Sequence, residues 1–200
     1  MLASDSMNDP DRELVAQVKS GNKAIFGQLA EHYYDMVYAV AYGVLNHHEA
    51  ARDVAQEVFL KAFRDIDQFE GAAKFKTWLY RIAVNAAIDQ GRKKRPMQSL
   101  DATDESDDED RPPVIIEDKS PNPRDRAVQS ELRDRLNQAL EELSPEHRAV
   151  LVLREWQELS YEEIAEALDV QIGTVMSRLF YARKKMVEIL NAKDKERVSE

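Results

Sequence analysis

Cysteine is absent from this sequence of 200 residues, and glycine is scarce, with six residues. Without cysteine the chain forms neither a disulfide framework nor a thiolate metal site, which suits a reducing compartment. The sequence has no Gly-rich phosphate loop and no nucleophile motif. His47, His48 and Glu49 are adjacent, so on a helix they point in different directions and do not form a ligand cluster. We therefore expect a protein that is not an enzyme and holds no metal or other cofactor.

Long apolar runs are also missing. None approaches the roughly 18 residues of a membrane span, and the N-terminus MLASDSMNDPDREL lacks the basic and apolar regions of a signal peptide. The hydrophobic content of 43% is nevertheless enough for one medium core or two small ones. We expect a cytoplasmic protein without membrane insertion.

The acidic residues outnumber the basic ones, and the formal net charge is −10. Such a chain does not bind nucleic acid indiscriminately, because its summed field repels a polyanion. The charge is unevenly spread: the segment DATDESDDEDRPPVIIED, from Asp101 to Asp118, holds nine acids and one base. Its prolines and its lack of helical periodicity are typical of a mobile linker. Any contact with DNA must therefore be local.

Helical periodicity occupies the chain on both sides of a linker from about Pro96 to Val128, without an internal repeat or a strand pattern. In the first block, apolar residues from Ile25 to Val44 predict one long amphipathic helix, and those from Ala51 to Phe63 predict a second. A loop, DQFEGAAKF, leads into a third. We predict an all-α fold of two small helical domains joined by a flexible acidic linker.

The third helix, in KFKTWLYRIAVNAAIDQGRKKR, carries seven basic residues and a single acid. Its apolar residues fit an ordinary core stripe with the cations on a solvated face: Trp78, Leu79, Ile82, Ala83 and Ala86. A solvated face usually mixes both signs of charge, however, and this one hardly does. Cations that track phosphates, beside rings that stack on unpaired bases, favour an interaction with single-stranded nucleic acid.

The second block contains two helix starts. Ser144 and Pro145 fit an N-cap and a first helical residue, and the stretch from Ser160 to Glu163 fits a capping box. The short helix YEEIAEALD, the turn VQIGT and a basic helix from about Thr174 predict a helix-turn-helix, whose second helix enters the major groove. A two-helix hairpin with a basic exposed face produces the same pattern. The residues predicted to pack the pair together are Ala165, Leu168, Val170, Val175 and Leu179.

Taken together, the two blocks resemble the extracytoplasmic-function (group IV) sigma factors of bacterial RNA polymerase over nearly the whole chain. DVAQEVFLKAF looks like the segment that docks on the polymerase clamp, FKTWLYRIAVNAAID like the helix that handles the −10 element, and LSYEEIAEALDVQIGTVMSRLFYAR like the −35 reader. The resemblance implies sigma region 2 at residues 1–95, the acidic linker at 96–128 and sigma region 4 at 129–200. It also implies core RNA polymerase, promoter DNA and an anti-sigma factor as partners.

The resemblance further implies three sets of site residues. The set for the clamp helices of core polymerase is Asp53, Gln56 and Glu57. Without the resemblance to the family, the same residues are best interpreted as part of a solvated helix face. The set for the −10 element, where the loop from Asp67 to Phe75 captures an unstacked base, is Phe69, Lys74, Phe75, Lys76, Trp78, Arg81, Asn85, Arg92 and Lys93. The set for the −35 element is Thr174, Met176, Ser177, Arg178, Phe180, Tyr181, Arg183 and Lys184.

Met176 and Tyr181 depart from the family pattern. Many relatives have arginine at the first position, and a basic residue is often found at the second. Arginine to guanine is the commonest bidentate base contact, whereas methionine offers only apolar contact, for instance to a thymine methyl. The −35 preference of the family therefore does not carry over to this chain.

Promoter opening is not a task for this chain alone. A bubble of about a dozen base steps costs on the order of 17 kcal/mol, and a few bases stacked at about 1–3 kcal/mol each do not cover that. The acidic linker has two interpretations: composition favours a tether, and the resemblance favours a segment that threads the polymerase cleft with carboxylates that mimic phosphates.

Two functions from other classes stay open at this stage. A two-domain regulator would bind specific duplex DNA without polymerase. A protein-interaction adaptor would show no dependence on a promoter. The basic, aromatic third helix speaks against both.

Overall fold

The computed structural model describes residues 10–94, 132 and 135–198, and each regular element in these ranges is a helix. The first half comprises α1 (Arg12–Lys19), α2 (Phe26–Leu45), α3 (His48–Asp65) and α4 (Phe75–Lys94). The second comprises α5 (135–141), α6 (Pro145–Leu151), α7 (Tyr161–Leu168) and α8 (Ile172–Val198). The predicted all-α fold with two helical units is confirmed. The linker predicted at 96–128, with its acidic run, lies outside the described residues.

The helix ends follow from local chemistry. Asn46 ends α2 in the left-handed conformation, with φ of 49°, which asparagine tolerates better than most residues. His47 then caps α3, since its ring accepts a hydrogen bond from the amide of Ala50. Ser144 caps α6, and Ser160 forms the predicted capping box with Glu163 at the start of α7. The caps predicted in the second block are confirmed.

The first half is built around α2, which packs against α3 and α4. The buried face of α3 contains Ala51, Val54, Ala55, Val58 and Ala62, as the periodicity predicts. The stripe predicted for α4 packs against the core, but it does not include all the buried residues of the helix. Leu79 and Ala83 are buried, but Trp78, Ile82 and Ala86 are only half-buried. The residues of α4 that the prediction left out of the core are Tyr80, Val84, Ala87 and Ile88.

The wider buried surface of α4 has a simple cause: helices of the second half cover it as well. Helix α6 contacts both α2 and α4, and α7 contacts α4. The apolar residues of both halves form one continuous cluster. A helix covered from several directions buries more than one stripe.

Polar contacts also join the halves. The guanidinium of Arg148 donates a hydrogen bond to the carbonyl oxygen of Val44 at 2.8 Å. The side-chain amide of Asn46 donates to Glu141 at 2.6 Å. The acceptor, Val44, and the donor, Asn46, both lie at the C-terminal end of α2. The second half therefore holds this end of the helix in place.

The two halves pack closely at Gly43 of α2. A Cβ atom added there would lie 2.5 Å from Cγ2 of Val152 and 2.6 Å from Cζ3 of Trp156. Both residues belong to the π-helical stretch Val152–Trp156 that continues α6. Glycine is therefore needed at position 43 for the helices to pack at this distance.

We predict that Gly43→Ala destabilises the full chain by about 1–3 kcal/mol, because the new methyl group overpacks the contact with Val152 and Trp156. Urea denaturation followed by circular dichroism measures the effect. Gly27→Ala, on the same helix with nothing within 4 Å of its added Cβ, is the matched control. It should stabilise the chain by up to about 1 kcal/mol through helix propensity. Equal stabilisation by both variants would show that the halves do not pack here in solution.

Candidate polymerase and promoter interfaces

The exposed face of α3 carries Asp53, Gln56 and Glu57 within little more than one helical turn. Asp53 and Gln56 border a groove of about 600 Å³ between α2 and α3. The groove has an apolar lining that includes Phe26 and Phe59, and Leu60 beside it is 58% exposed. The charged residues of its lining have both signs: Lys23, Arg52 and Asp53. A groove with apolar walls and a polar rim suits a protein partner that presents apolar side chains.

Helix α4 presents cations on its outer surface. Lys76, Arg81, Arg92 and Lys93 are exposed, whereas Lys74 is half-buried at the start of the helix. The ammonium of Lys76 lies 5.6 Å from the ring centroid of Tyr80. These cations provide the positive surface that a phosphate backbone requires.

Asn85 is exposed in the middle of α4. Its side-chain amide carries two hydrogen-bond donors and an acceptor, so it can form hydrogen bonds with a base edge. On its own face of α4, Asn85 lies between the exposed Arg81, four residues before it, and the exposed Asp89, four residues after it.

Two of these cations contact the second half of the chain. Arg92 donates through Nε and Nη2 to Glu146 at 2.7 Å, and Arg81 lies 3.6 Å from Asp169. Burial tends to raise the pKa of Glu146, but hydrogen bonds from its own backbone amide and from Arg92 outweigh that effect and lower the pKa. In this arrangement, both arginines are paired with carboxylates of the second half.

The aromatic residues predicted to stack on bases are placed differently. Phe75 is 1% exposed and Phe69 is 8% exposed. Their ring centroids lie 5.8 Å apart, and Trp78 lies 5.3 and 5.6 Å from them. The three rings pack together where the loop between α3 and α4 begins and ends. In this structure Phe69 and Phe75 are core residues whose rings are not open to a base, and Trp78 is half-buried.

The helix-turn-helix is formed by α7 and α8, with α8 as the second helix. Ala165, Leu168, Val175 and Leu179 are buried between them and Val170 is half-buried, as predicted. Large apolar side chains are exposed along α8, among them Met176 (53%), Phe180 (62%), Tyr181 (59%) and Val187 (57%). The helix therefore offers an apolar as well as a basic surface.

The remaining predicted residues of α8 surround that apolar surface. Ser177 and Lys184 are exposed, and Thr174 and Arg178 are half-buried. The hydroxyl of Ser177 donates to the carbonyl oxygen of Thr174 at 3.0 Å. Arg183 pairs with Glu155 at 2.6 Å, and this hydrogen bond raises the pKa of the guanidinium. Arg183 is thus already oriented by a carboxylate of its own half.

Two contacts of α4 and of the loop before it cannot be predicted from the sequence pattern. The hydroxyl of Tyr80 donates to Gln157 of the second half at 2.9 Å, and burial raises the pKa of Tyr80, with a further contribution from the charge of Glu163. Lys19 of α1 reaches the loop before α4. These pairs are 77 and 48 residues apart in sequence, so local periodicity carries no signal for them.

Within the described part of the chain, no helix combines the length and apolar composition needed to cross a membrane.

Comparison with known proteins identifies both halves. A model of sigma-70 region 2 matches residues 29–96, and a model of sigma-70 region 4 matches residues 133–186. The chain is 36% identical over 173 residues to the ECF RNA polymerase sigma factor SigW of Bacillus subtilis, covering 86% of this chain and 92% of that protein. It is 37% identical over 178 residues to the ECF RNA polymerase sigma-E factor of Escherichia coli, covering 87% and 91%.

Two solved structures share the fold. One is CnrH in complex with the cytosolic domain of CnrY, with a TM-score of 0.63, 26% identity and coverage of 92% of this chain and 99% of that one. The other is the sigma factor RpoE in complex with the anti-sigma factor NepR from Bartonella quintana, with a TM-score of 0.60, 26% identity and coverage of 83% and 96%. The chain belongs to the extracytoplasmic-function sigma factors, the non-enzymatic initiation factors that direct bacterial RNA polymerase to promoters.

Proposed function

We propose that the two halves divide the work of promoter recognition, with sigma region 2 at residues 1–95, a linker at 96–128 and sigma region 4 at 129–200. The supporting observation is the placement of exposed cations on α4 and α8 of a chain whose net charge is −10. Helix α4 lies within the matched residues 29–96, and the first part of α8, residues 172–186, lies within the matched residues 133–186. DNA contact is thereby confined to two surfaces.

In this proposal the face of α3 with Asp53, Gln56 and Glu57 binds the clamp helices of core polymerase. The carboxylates meet basic residues of the clamp, and the groove between α2 and α3 takes apolar side chains. Because this face lies on another helix than the −10 surface, both are available at the same time.

The −10 element is read by α4 and by the loop that precedes it. Asn85 makes the base contact, and the loop from Asp67 to Phe75 holds an unstacked base. The remaining members of this surface contact phosphates or shape the loop: Lys74, Lys76, Trp78, Arg81, Arg92 and Lys93.

The −35 element is read by the start of α8 in the major groove. Met176 contacts a base through its apolar side chain, and Phe180 and Tyr181 extend the exposed apolar surface. Phosphates are contacted by the polar and basic members of the set, which are Thr174, Ser177, Arg178, Arg183 and Lys184.

An anti-sigma factor is the proposed regulatory partner. The two structural neighbours are complexes of CnrH with the cytosolic domain of CnrY and of RpoE with the anti-sigma factor NepR. The apolar groove beside Asp53 and the exposed apolar residues of α8 are surfaces that such a partner would cover. Since sigma factors act with RNA polymerase inside the cell, we place the protein in the cytoplasm.

Run-off transcription tests the −10 assignment. Core bacterial RNA polymerase with this chain should start from specific promoters, and Asn85→Ala should reduce those starts by about tenfold, the value of one lost base contact. Asn22→Ala, an exposed site before α2 whose side chain makes no capping hydrogen bond, should leave them unchanged. A chain that shifts duplex DNA alone and directs no start with core would instead be a two-domain regulator.

A charge-matched pair of double variants tests the polymerase-binding face. Asp53→Ala with Glu57→Ala should weaken binding to core polymerase by about tenfold or more, because an interfacial charge pair loses one partner. Fluorescence anisotropy of the labelled chain measures the affinity. Glu31→Ala with Asp35→Ala removes two exposed carboxylates of the same spacing from α2 and should have little effect. An equal loss of affinity in both double variants would show that the effect comes from net charge and not from this face of α3.

The substitution Met176→Arg tests the −35 assignment. Arginine at this position should create a preference for guanine at one base pair of the −35 element, worth about 1–3 kcal/mol. Transcription from a promoter library randomised in that element detects the new preference. Val187→Arg places the same charge at an exposed position farther along α8 and should raise affinity without base selectivity. Met176→Arg without any new preference would contradict a base contact at this position.

A further inference from the structure

The loop between α3 and α4 is held from outside by α1. The loop follows the 3₁₀ turn Ile66–Gln68, passes through Gly71 with φ of 74°, and ends where α4 begins at Phe75. Residues 69–74 have no regular secondary structure. The packed rings of Phe69 and Phe75 join the ends of the loop, but ring packing alone does not set the orientation of the peptide groups between them.

Lys19, in the last turn of α1, supplies a directional contact. Its ammonium donates to the carbonyl oxygen of Phe69 and, at 3.3 Å, to that of Asp67. The same ammonium lies 5.9 Å from the ring centroid of Phe69. A lysine ammonium has three donors, so one side chain holds two backbone groups and one ring at the entry to the loop.

The electrostatics of this site favour a cation. The carbonyl oxygens of Asp67 and Phe69 lie at the end of the 3₁₀ turn, where backbone acceptors are left without partners inside the helix. Lys19 itself lies at the C-terminal end of α1, the negative end of the helix dipole. The C-terminal ends of two helical elements, each of partial negative charge, therefore meet at one ammonium.

Helix α1 is a fixed support for this contact. Val15 and Val18 are 4% and 3% exposed, so the helix is packed into the core. At its start, Asp11 is buried and accepts a hydrogen bond from the hydroxyl of Tyr33 on α2. The ring of Tyr33 in turn lies 5.9 Å from that of Phe75. The C-terminal end of α1 thus contacts the start of the loop directly, and the residue before α1 is connected to Phe75, at the end of the loop, through Tyr33.

We propose that Lys19 is a positioning residue for −10 recognition: it fixes the entry of the loop, so that the loop is preformed before an unstacked base enters it. The proposal rests on the assignment of this loop to base capture. It gives α1, which lies outside the residues matched by the region 2 model, a part in promoter selectivity without requiring that it touch a base.

The test compares Lys19→Met, which keeps the apolar stem and removes the donors, with Lys19→Arg, which restores donors and charge. Amide hydrogen exchange on the full chain reports the loop directly. Exchange at residues 66–74 should rise by about tenfold in Lys19→Met, as expected for the loss of one or two hydrogen bonds, and should return toward the wild-type rate in Lys19→Arg. Lys61→Met, at an exposed position of α3, should not change it.

The second readout is selectivity in the holoenzyme. Run-off transcription is measured on one promoter and on versions of it with each −10 base pair substituted. Lys19→Met should reduce the discrimination at the captured base by about three- to tenfold, with binding to core polymerase unchanged. A direct phosphate contact by Lys19 predicts a different result: equal loss on all promoter versions and a salt dependence of binding reduced by about one ion.

Unchanged loop exchange in Lys19→Met would overturn the proposal, and so would a uniform loss on all promoter versions. If the wild-type holoenzyme shows no base preference in the −10 element, the assignment of the loop to base capture fails instead. The hydrogen exchange result separates the two failures, because it requires neither polymerase nor promoter.

Discussion

The need to cover α2 on every side determines the arrangement of the other helices. Between Val37 and Leu45 every residue except Ala39 is buried, so this part of the helix has no face that water can cover without cost. Helices α3 and α4 cover one side, and α6 with its π-helical continuation covers another. The contact between the two halves of the chain is thus a consequence of the composition of one helix.

The ion pairs between the two halves contribute little to holding them together. Arg81 and Arg92 of α4 are paired with carboxylates of the second half, yet both arginines are more than half exposed, and exposed ion pairs contribute only about 0–1 kcal/mol each. The apolar contact around Gly43 therefore contributes more to the free energy that holds the two halves together than the ion pairs do. A polyanion or a polymerase surface that binds Arg81 or Arg92 displaces only weak ion pairs. To open the two halves, it must also separate the apolar contact around Gly43.

Much of the fold could be predicted from the sequence, because helical periodicity and caps are local signals. The capping box at Ser160 and the core of α7 and α8 appear where the pattern indicates. Periodicity shows that a face is buried but not what buries it. It therefore does not reveal that Phe75 packs against Phe69 or that Tyr80 belongs to the core. The roles of Gly43 and Lys19 depend on residues distant in sequence, and no local pattern contains them. The exposure of Asp53, Gln56, Glu57 and Asn85 agrees with their assignment, which rests on the family.

The C-terminal end of α2 is completed by a residue that is distant in sequence. The last turn of a helix leaves carbonyl groups without partners, and here Arg148 donates to that of Val44 from the other half. Only Asn46 and His47 separate this turn from α3, which carries Asp53 and Glu57. Separation of the halves would transfer the Val44 carbonyl to water and loosen the turn that leads into α3. If α3 binds polymerase as proposed, separation of the halves and polymerase binding are thermodynamically linked through this turn, and each changes the free energy of the other.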